Sequence, residues 1–175
     1  MKRPHRSIKM EKDNVTKMKK TVSSELNRYI EFSLGQEDYA IPLLMVREVI
    51  SVPDTTPIPK SPPHFLGIMN LRGQVISVVD LRKKLKVDAR KDKEEAVIIV
   101  DIGGMNIGVV VDSINRVLAF SSDEVSEMPE VENQVNTHFI FGVYKKEHSL
   151  TVLLDIAKVL DLKDMEAISG MKKSA

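Results

Sequence analysis

Apolar and polar residues alternate with a period of two where the well-patterned part of the chain begins. Ile30, Phe32 and Leu34 are each separated by one residue, and the residues between them are more polar. This alternation is typical of a half-buried β-strand. The turn-forming residues over 35–38 and the run over 39–41 then predict a hairpin.

Short apolar runs rich in β-branched residues recur along the chain. They predict strands over 47–50, 68–69, 75–79, 96–101, 107–111, 114–120, 139–144 and 150–154. The segments between them predict a helical turn over 43–46, a proline-rich extended crossover over 53–63, and loops over 87–95 and 121–137. Asp80 and Asp155 are placed to cap helices, a short one over 81–85 and a second from Asp155 through Leu160 toward Ile168.

The chain contains an internal repeat. The segment that begins at Tyr29 aligns without a gap on the segment that begins at Val97, and Gly67 onward aligns on Gly142 onward. In the second alignment Asp80 falls on Asp155. Each copy has about five short strands, and small sheets lose their exposed edges by closing into barrels. The repeat therefore predicts an all-β protein with short helices, built from two barrels that pack together because each is too small to be stable alone.

The turn over 70–73 differs between the two copies. It reads Asn-Leu-Arg-Gly, whereas its counterpart over 145–148 reads Lys-Lys-Glu-His. The turn itself therefore does not require these residues. Arg72 places a permanent charge and five hydrogen-bond donors on this reversal, and we predict that it contacts a partner. Glu48 is a candidate to pair with it.

The run Ile-Gly-Val-Val-Val over 107–111 is apolar on both faces of its predicted strand. One face must serve a barrel core. The other face either packs on the sister barrel or is exposed as a partner site, and the sequence leaves both possibilities open. Gly108 would allow a close approach there. The sequence leaves the same two possibilities, burial or exposure to a partner, open for the segment 43–46.

Composition excludes several functions. The sum of charges is +1, which gives no indication of nucleic-acid binding. Cys is absent, which excludes disulfides and thiolate metal sites. The four histidines have no metal-ligand spacing, no phosphate-binding loop occurs, and helix capping explains Asp80 and Asp155. We therefore predict no catalytic residues, no metal and no cofactor. No run is long enough to span a membrane. The basic residues over 1–27, among which apolar residues are sparse, predict a disordered or loosely helical tail.

Five segments resemble the CheW family of chemotaxis coupling proteins. They are 29–35, 38–41, 46–50, 67–85 and 107–112. The most specific part is Asn-Leu-Arg-Gly at 70–73 followed by Val-Val-Asp-Leu at 78–81. The resemblance covers roughly 28–162, with a C-terminal helical extension over 163–175 outside it.

The resemblance implies a fold and a function. The fold would be two intertwined SH3-like five-stranded barrels, from roughly 28–90 and 94–162. The function would be a non-catalytic adaptor that couples the cytoplasmic tips of chemoreceptors to the regulatory domain of the histidine kinase CheA. Such a protein is cytoplasmic, is recruited to membrane-associated receptor arrays only through its partners, and binds no nucleic acid.

Carried over by position, the resemblance implies two binding sites. The receptor-binding residues would be Val46, Glu48, Asn70, Arg72 and Gly73. The kinase-binding residues would be Ile107, Gly108, Val109 and Asp112. Two alternatives are a similar scaffold in a non-flagellar pathway such as surface motility, and a general SH3-type peptide-binding module. Five Phe, three Tyr and no Trp argue against the second, because a polyproline groove is usually lined by aromatic residues.

Overall fold

The computed structural model describes residues 27–90, 94–128 and 138–174. The predicted tail over 1–27 lies outside them except for Asn27. The strands are β1 (Asn27–Leu34), β2 (Glu37–Pro42), β3 (Val46–Ser51), β4 (Phe65–Leu71), β5 (Gln74–Asp80), β6 (Ala96–Ile102), β7 (Met105–Val111), β8 (Ser113–Phe120), β9 (Val125–Ser126), β10 (Ile140–Lys146) and β11 (Ser149–Leu154). The helices are α1 (Leu81–Leu85), α2 (Ile156–Val159) and α3 (Leu162–Ser174), with 3-10 turns at Leu43–Met45 and Ser122–Glu124.

The strands form two sheets. Sheet A has the order β8-β1-β2-β11-β10-β9, and sheet B has the order β3-β6-β7-β5-β4. The predicted class is confirmed: the protein is all-β with short helices, two packed SH3-like barrels and a C-terminal helix. One detail differs, since the predicted loop over 121–137 contains a 3-10 turn and β9, which pairs with β10.

Each sheet takes strands from both copies of the repeat. Sheet A contains β1 and β2 from the first copy together with the four strands β8, β9, β10 and β11 from the second, and β2 lies parallel to β11. Sheet B contains β3, β4 and β5 from the first copy together with β6 and β7 from the second, and β5 lies parallel to β7. The chain therefore crosses between the sheets after β2 and again after β7.

The repeat is visible in local geometry. A Cβ added to Gly67 would lie 2.2 Å from the carbonyl oxygen of Thr56, and one added to Gly142 would lie 2.4 Å from Cγ1 of Val125. In both copies, a glycine thus allows another segment to cross its strand closely. The register of β4 against β5 shifts beside Gly67, and that of β10 against β11 shifts beside Gly142.

The aspartate caps are confirmed. Asp80 accepts hydrogen bonds from the backbone N–H of Arg82 and Lys83 at 3.0 and 3.4 Å, and Asp155 accepts one from Lys158 at 3.3 Å. The helix predicted after Asp155 is divided, because α2 ends at Val159 and α3 begins at Leu162.

Three apolar clusters form the core. One lies inside sheet A around the stacked rings of Tyr29, Phe120 and Tyr144, and one lies inside sheet B around Ile76 and Ile99. The largest lies between the two sheets and is called the inter-sheet core here. It contains Ile30, Phe32, Leu34, Ile41, Phe65, Val79, Leu81, Ile98, Val100, Ile102, Ile107, Val109, Val111, Leu154, Ile156, Val159, Leu160 and Ile168.

The prediction that β1 is half-buried is wrong. Tyr29, Glu31 and Ser33 are buried as well as the alternating apolar residues. The reason is that β1 has the inter-sheet core on one face and the interior of sheet A on the other.

The C-terminal helix α3 is held by polar contacts to Lys84 on α1 and to His64, which directly precedes β4. The carboxylate of Asp164, which is buried, lies 2.6 Å from Nε2 of His64 and 2.5 Å from Nζ of Lys84. Lys84 also lies 3.2 Å from Asp161. Ile168 on the same helix is fully buried in the inter-sheet core. Helix α3 is thus part of the packed structure.

Candidate protein-interaction site

Four of the five residues predicted to bind a receptor meet at one end of sheet B. Arg72 stands in the β4–β5 turn with φ 53°. Its Nη1 and Nη2 each donate to a carboxylate oxygen of Glu48, both at 2.8 Å. The side chain of Asn70 accepts the backbone N–H of Gly73 at 2.8 Å, which closes the turn. The guanidinium stays open to solvent, with 76% of the Arg72 side chain exposed.

This ion pair connects the two edge strands of sheet B. Glu48 lies on β3 and Arg72 follows β4, and these strands are at opposite ends of the strand order. An exposed pair of this kind contributes only about 0–1 kcal/mol to stability. Its more definite effect is to fix the direction of the guanidinium, since a bidentate pair has a planar, restricted geometry.

Val46 does not join this group. It is half-buried and packs against the inter-sheet core, and its neighbour across β6 is Val100, which belongs to that core. The neighbour of Glu48 is Ile99, which lies inside sheet B. The two side chains are therefore directed to different faces of β3.

The structure buries all four residues that were predicted to bind the kinase. Ile107 and Val109 are fully buried in the inter-sheet core. Gly108 is buried inside sheet B, where an added Cβ would lie 2.9 Å from Cγ1 of Val97. Asp112 is also fully buried. Of the two possibilities that the sequence left open for 107–111, the strand packs on the sister barrel, because β7 lies centrally in sheet B and faces the other sheet.

Asp112 belongs instead to a buried polar cluster around Arg82. The guanidinium donates to Asp80 through Nε and Nη2, both at 2.9 Å, and to Asp112 through Nη1 at 2.8 Å. It also bonds Glu95 through Nη1. Asp112 in turn accepts the backbone N–H of Gly35, in the β1–β2 turn, at 2.7 Å. This Arg82 cluster therefore connects the end of β5, the β7–β8 corner and the first hairpin.

The contacts of Arg82 with neighbouring carboxylates raise its pKa. The hydrogen bond with Asp80 is the largest cause that raises the pKa of Arg82 above its ordinary value. Burial opposes this, and the bonds to Glu95 and Asp112 add to the rise. Arg82 thus stays positively charged, and its one guanidinium is shared among three carboxylates.

Glu31 is a second buried charge that the sequence interpretation missed. It is 1% exposed and lies inside sheet A, where Arg116 donates to it at 2.7 Å through Nε and Thr151 donates at 2.7 Å. In the repeat, the counterparts of Glu31 and Thr151 are Ile99 and Ile76. Sheet B therefore has an apolar interior where sheet A has a paired carboxylate.

A signal for Arg82 was present in the sequence. The repeat places Arg82 opposite Ala157, just as it places Arg72 opposite Glu147. The same criterion that singled out Arg72 would have found it. For Glu31, the alternating pattern itself gave a misleading indication, because it assigned the residue to a solvent face.

The segment around the first 3-10 turn has a mixed environment. Leu43, Met45 and Val46 are partly buried and pack against the inter-sheet core. Leu44 is 98% exposed, the highest value among the large hydrophobic side chains of the described residues. Leu44 is thus an exposed apolar side chain carried on a short turn whose neighbours are partly buried.

The part of the chain that the structure describes offers neither a metal cluster nor a membrane helix. No group of three or more His, Asp or Glu residues there is placed to hold a metal ion. None of the helices described is both long and apolar enough to cross a bilayer. Its clustered carboxylates are instead engaged with arginine and lysine.

Comparison with known families agrees with this arrangement. Residues 28–164 match the CheW-like domain. The chain belongs to the CheW family. Its relatives include the chemotaxis protein CheW of Treponema pallidum, 30% identical over 155 residues that cover 86% of this chain and 91% of that protein. CheW of Klebsiella aerogenes is 30% identical over 147 residues, covering 83% and 89%.

A solved structure of a CheW protein extends the likeness to the fold. The scaffolding protein TtCheW from Thermoanaerobacter tengcongensis superposes with a TM-score of 0.71 at 28% identity, covering 79% of this chain and 95% of that one. The resemblance to CheW inferred from the five sequence segments is therefore confirmed. The T. tengcongensis protein is named a scaffolding protein.

Proposed function

We propose that this CheW-family protein is a non-catalytic adaptor that couples the cytoplasmic tips of chemoreceptors to the histidine kinase CheA. The observation that carries the proposal is the Arg72 turn. Its guanidinium is exposed, is oriented by Glu48, and has no counterpart in the second copy of the repeat. A charged group that the scaffold does not need is best explained by a partner.

The receptor tip, a long helical hairpin in this family, is the partner we assign to this end of sheet B. Glu48, Asn70, Arg72 and Gly73 form the polar part of the contact. Arg72 can bind a carboxylate or a helix C-terminal carbonyl of the receptor while Glu48 keeps it in position. Val46 contributes only through the packing of β3, because its side chain faces the inter-sheet core.

The kinase contact needs another surface, since Ile107, Gly108, Val109 and Asp112 are buried. Leu44 supports a position at the corner between β2 and β3, where a nearly fully exposed leucine can act as an apolar anchor. The regulatory domain of CheA is the partner we assign to this corner. The protein would then reach membrane-associated arrays through its receptor and have no membrane contact of its own.

The proposal is tested by two pull-down experiments with the purified chain. One uses a receptor cytoplasmic fragment and the other uses the CheA regulatory domain, both from the same organism. Binding to both partners is expected. A folded sample that binds neither would refute the adaptor function, and binding to only one would remove the coupling role.

A further inference from the structure

The chain enters β1 at an end of sheet A where an aromatic side chain is exposed. Asn27, at the start of β1, pairs with Phe120 at the end of β8. The rings of Tyr29 and Phe120 stack with their centroids 4.6 Å apart, and the ring of Phe141 lies 6.1 Å from that of Tyr29. Phe141 is 43% exposed, whereas the other two rings are buried. These three rings form an apolar surface, called the aromatic end here, that is partly open to solvent.

Carboxylates border the aromatic end. Asp123 and Glu124 lie in the 3-10 turn that follows β8, and Glu127 follows β9, which pairs with the strand of Phe141. All three are exposed, and none forms an ion pair within the part of the chain that the structure describes. The sequence has no Lys or Arg between Phe120 and His138. This stretch therefore adds only negative charge beside the aromatic end.

The segment that precedes β1 has the opposite charge. Residues 1–26 contain eight Lys or Arg and three Asp or Glu, which leaves 18 Lys or Arg and 22 Asp or Glu in the rest of the chain. The small net charge of the whole chain is thus the sum of a positive segment and a negative remainder. Lys17, Lys19 and Lys20 are the basic residues of that segment nearest to β1.

The same part of the segment has an apolar stripe. Val15, Met18 and Val22 follow one another at intervals of four residues or fewer, which is the spacing of one face of an amphipathic helix. A helix this short is not stable alone in water, so it needs a surface against which to pack. Residues 23–26 then provide a connection of ordinary length for a reversal into β1.

We propose that residues 15–22 dock as an amphipathic helix on the aromatic end of their own chain, where Phe141 meets the apolar stripe and the three carboxylates meet the lysines. Because the segment is covalently attached, its effective concentration is high and a modest contact is sufficient. The docked segment covers Phe141, and a protein that binds this end of sheet A must first displace it. The inference goes beyond the proposed function, since the adaptor proposal makes no use of this surface.

The experiment is NMR spectroscopy of the isotope-labelled full chain with a nitroxide attached at Thr16→Cys. The label is unique, because the chain has no other cysteine. Docking should give strong paramagnetic relaxation enhancement at the amides of Phe141 and Glu127 at low salt. High salt screens exposed charges, so the enhancement should fall about threefold or more. The triple variant Lys17→Glu, Lys19→Glu, Lys20→Glu should show a similar loss at low salt.

Two matched controls test the charge and the apolar contact separately. The triple variant Lys2→Glu, Arg3→Glu, Arg6→Glu changes the net charge equally but lies outside 15–22, and it should keep the enhancement. Phe141→Ser should lower the enhancement at Glu127, whereas Leu150→Ser, at a leucine that is 49% exposed on β11, should not. The amide spectrum of each variant verifies that it is folded.

Three outcomes would overturn the proposal. One is weak enhancement in the labelled wild-type background at low salt. Another is equal enhancement in the two triple variants, which would remove the role of the lysines next to β1. The third comes from a mixed sample in which the nitroxide is attached only to molecules without isotope label. Enhancement there as strong as within one chain would assign the contact to a second copy.

Discussion

Arg72 donates two hydrogen bonds of 2.8 Å to the carboxylate of Glu48, joining the two edge strands of sheet B where they share no backbone ladder. The pair is exposed, with 76% of the Arg72 side chain accessible. Its geometry suits presentation of a charge more than stabilisation of the fold. The first prediction separates these two roles.

Arg72→Glu should weaken binding to a receptor fragment while the folded state is kept. The change removes the exposed cation and places two carboxylates side by side, so we expect a loss of at most about 1 kcal/mol in stability. Affinity and urea unfolding should be measured together. Arg28→Glu, at an exposed arginine at the start of β1, is the control. A stability loss that accounts for the whole loss of binding would make Arg72 a structural residue.

Asp112→Ala should destabilise the protein strongly. The substitution leaves the buried Arg82 with one carboxylate fewer and the N–H of Gly35 without its acceptor. Removing one member of a buried ionic cluster typically costs about 3–5 kcal/mol. Urea unfolding measures the effect, and Asp54→Ala, in the exposed crossover, should change stability little. If the two variants are equally stable, the Arg82 cluster does not hold the sheets together.

Val109→Asp should prevent stable folding. Val109 is fully buried in the inter-sheet core, so an aspartate there would be an unpaired buried charge and cost more than about 4 kcal/mol. Val117→Asp is the matched control, since Val117 is 54% exposed, and we expect a change within about 1 kcal/mol. Circular dichroism and thermal unfolding compare them. A folded Val109→Asp protein that loses CheA binding would restore the kinase site predicted from the sequence.

Gly67→Ala should destabilise the chain, since the new methyl would meet the Thr56 carbonyl at 2.2 Å and φ is 140°. Strain and overpacking of this kind cost about 1–3 kcal/mol each. Gly170→Ala, where no atom lies within 4 Å of the added carbon, should be neutral or slightly stabilising. Thermal unfolding of both variants provides the measurement. If the two variants were equally stable, the segment at Thr56 would have to move without cost to accommodate the new methyl group.

Acid stability should depend on Asp161. The backbone N–H of Asp164 is the main cause that lowers the pKa of Asp161, with a further contribution from Lys84. A carboxyl whose pKa is lower in the folded state stabilises the fold above the ordinary Asp pKa of about 3.9, and this stabilisation is lost as the pH falls through the folded value. Asp161→Asn should therefore flatten the decline in stability below about pH 5. If the stability of Asp161→Asn fell with pH as that of the wild type does, Asp161 would not contribute to acid unfolding.

Much of the fold could be predicted because it depends on local patterns. Asp80 and Asp155 cap helices through atoms only two or three residues away. Gly67 and Gly142 occupy equivalent positions in the repeat, as a residue required by the scaffold would, and each permits a close crossing in the structure. Arg72 was identified for the opposite reason, since its counterpart in the repeat differs.

The errors occur where distant segments meet. Glu31 lies on a strand whose alternation is typical of one buried face, but its partners Arg116 and Thr151 come from strands far along the chain. The burial of 107–111 depends on which sheet covers β7, which the apolar run alone does not determine. Asp112 was carried over as a kinase contact from the resemblance alone, whereas its contact with Arg82 depends on the β7–β8 corner reaching α1.

The exchange of strands between the two copies has a consequence for how the protein can be divided. A cut in the loop between β5 and β6 would separate the copies of the repeat, yet it would leave sheet A without β8 to β11 in one fragment and without β1 and β2 in the other. Neither piece would contain a complete barrel. The duplicated sequence therefore behaves as one cooperative folding unit, and the two proposed binding faces must be gained or lost together.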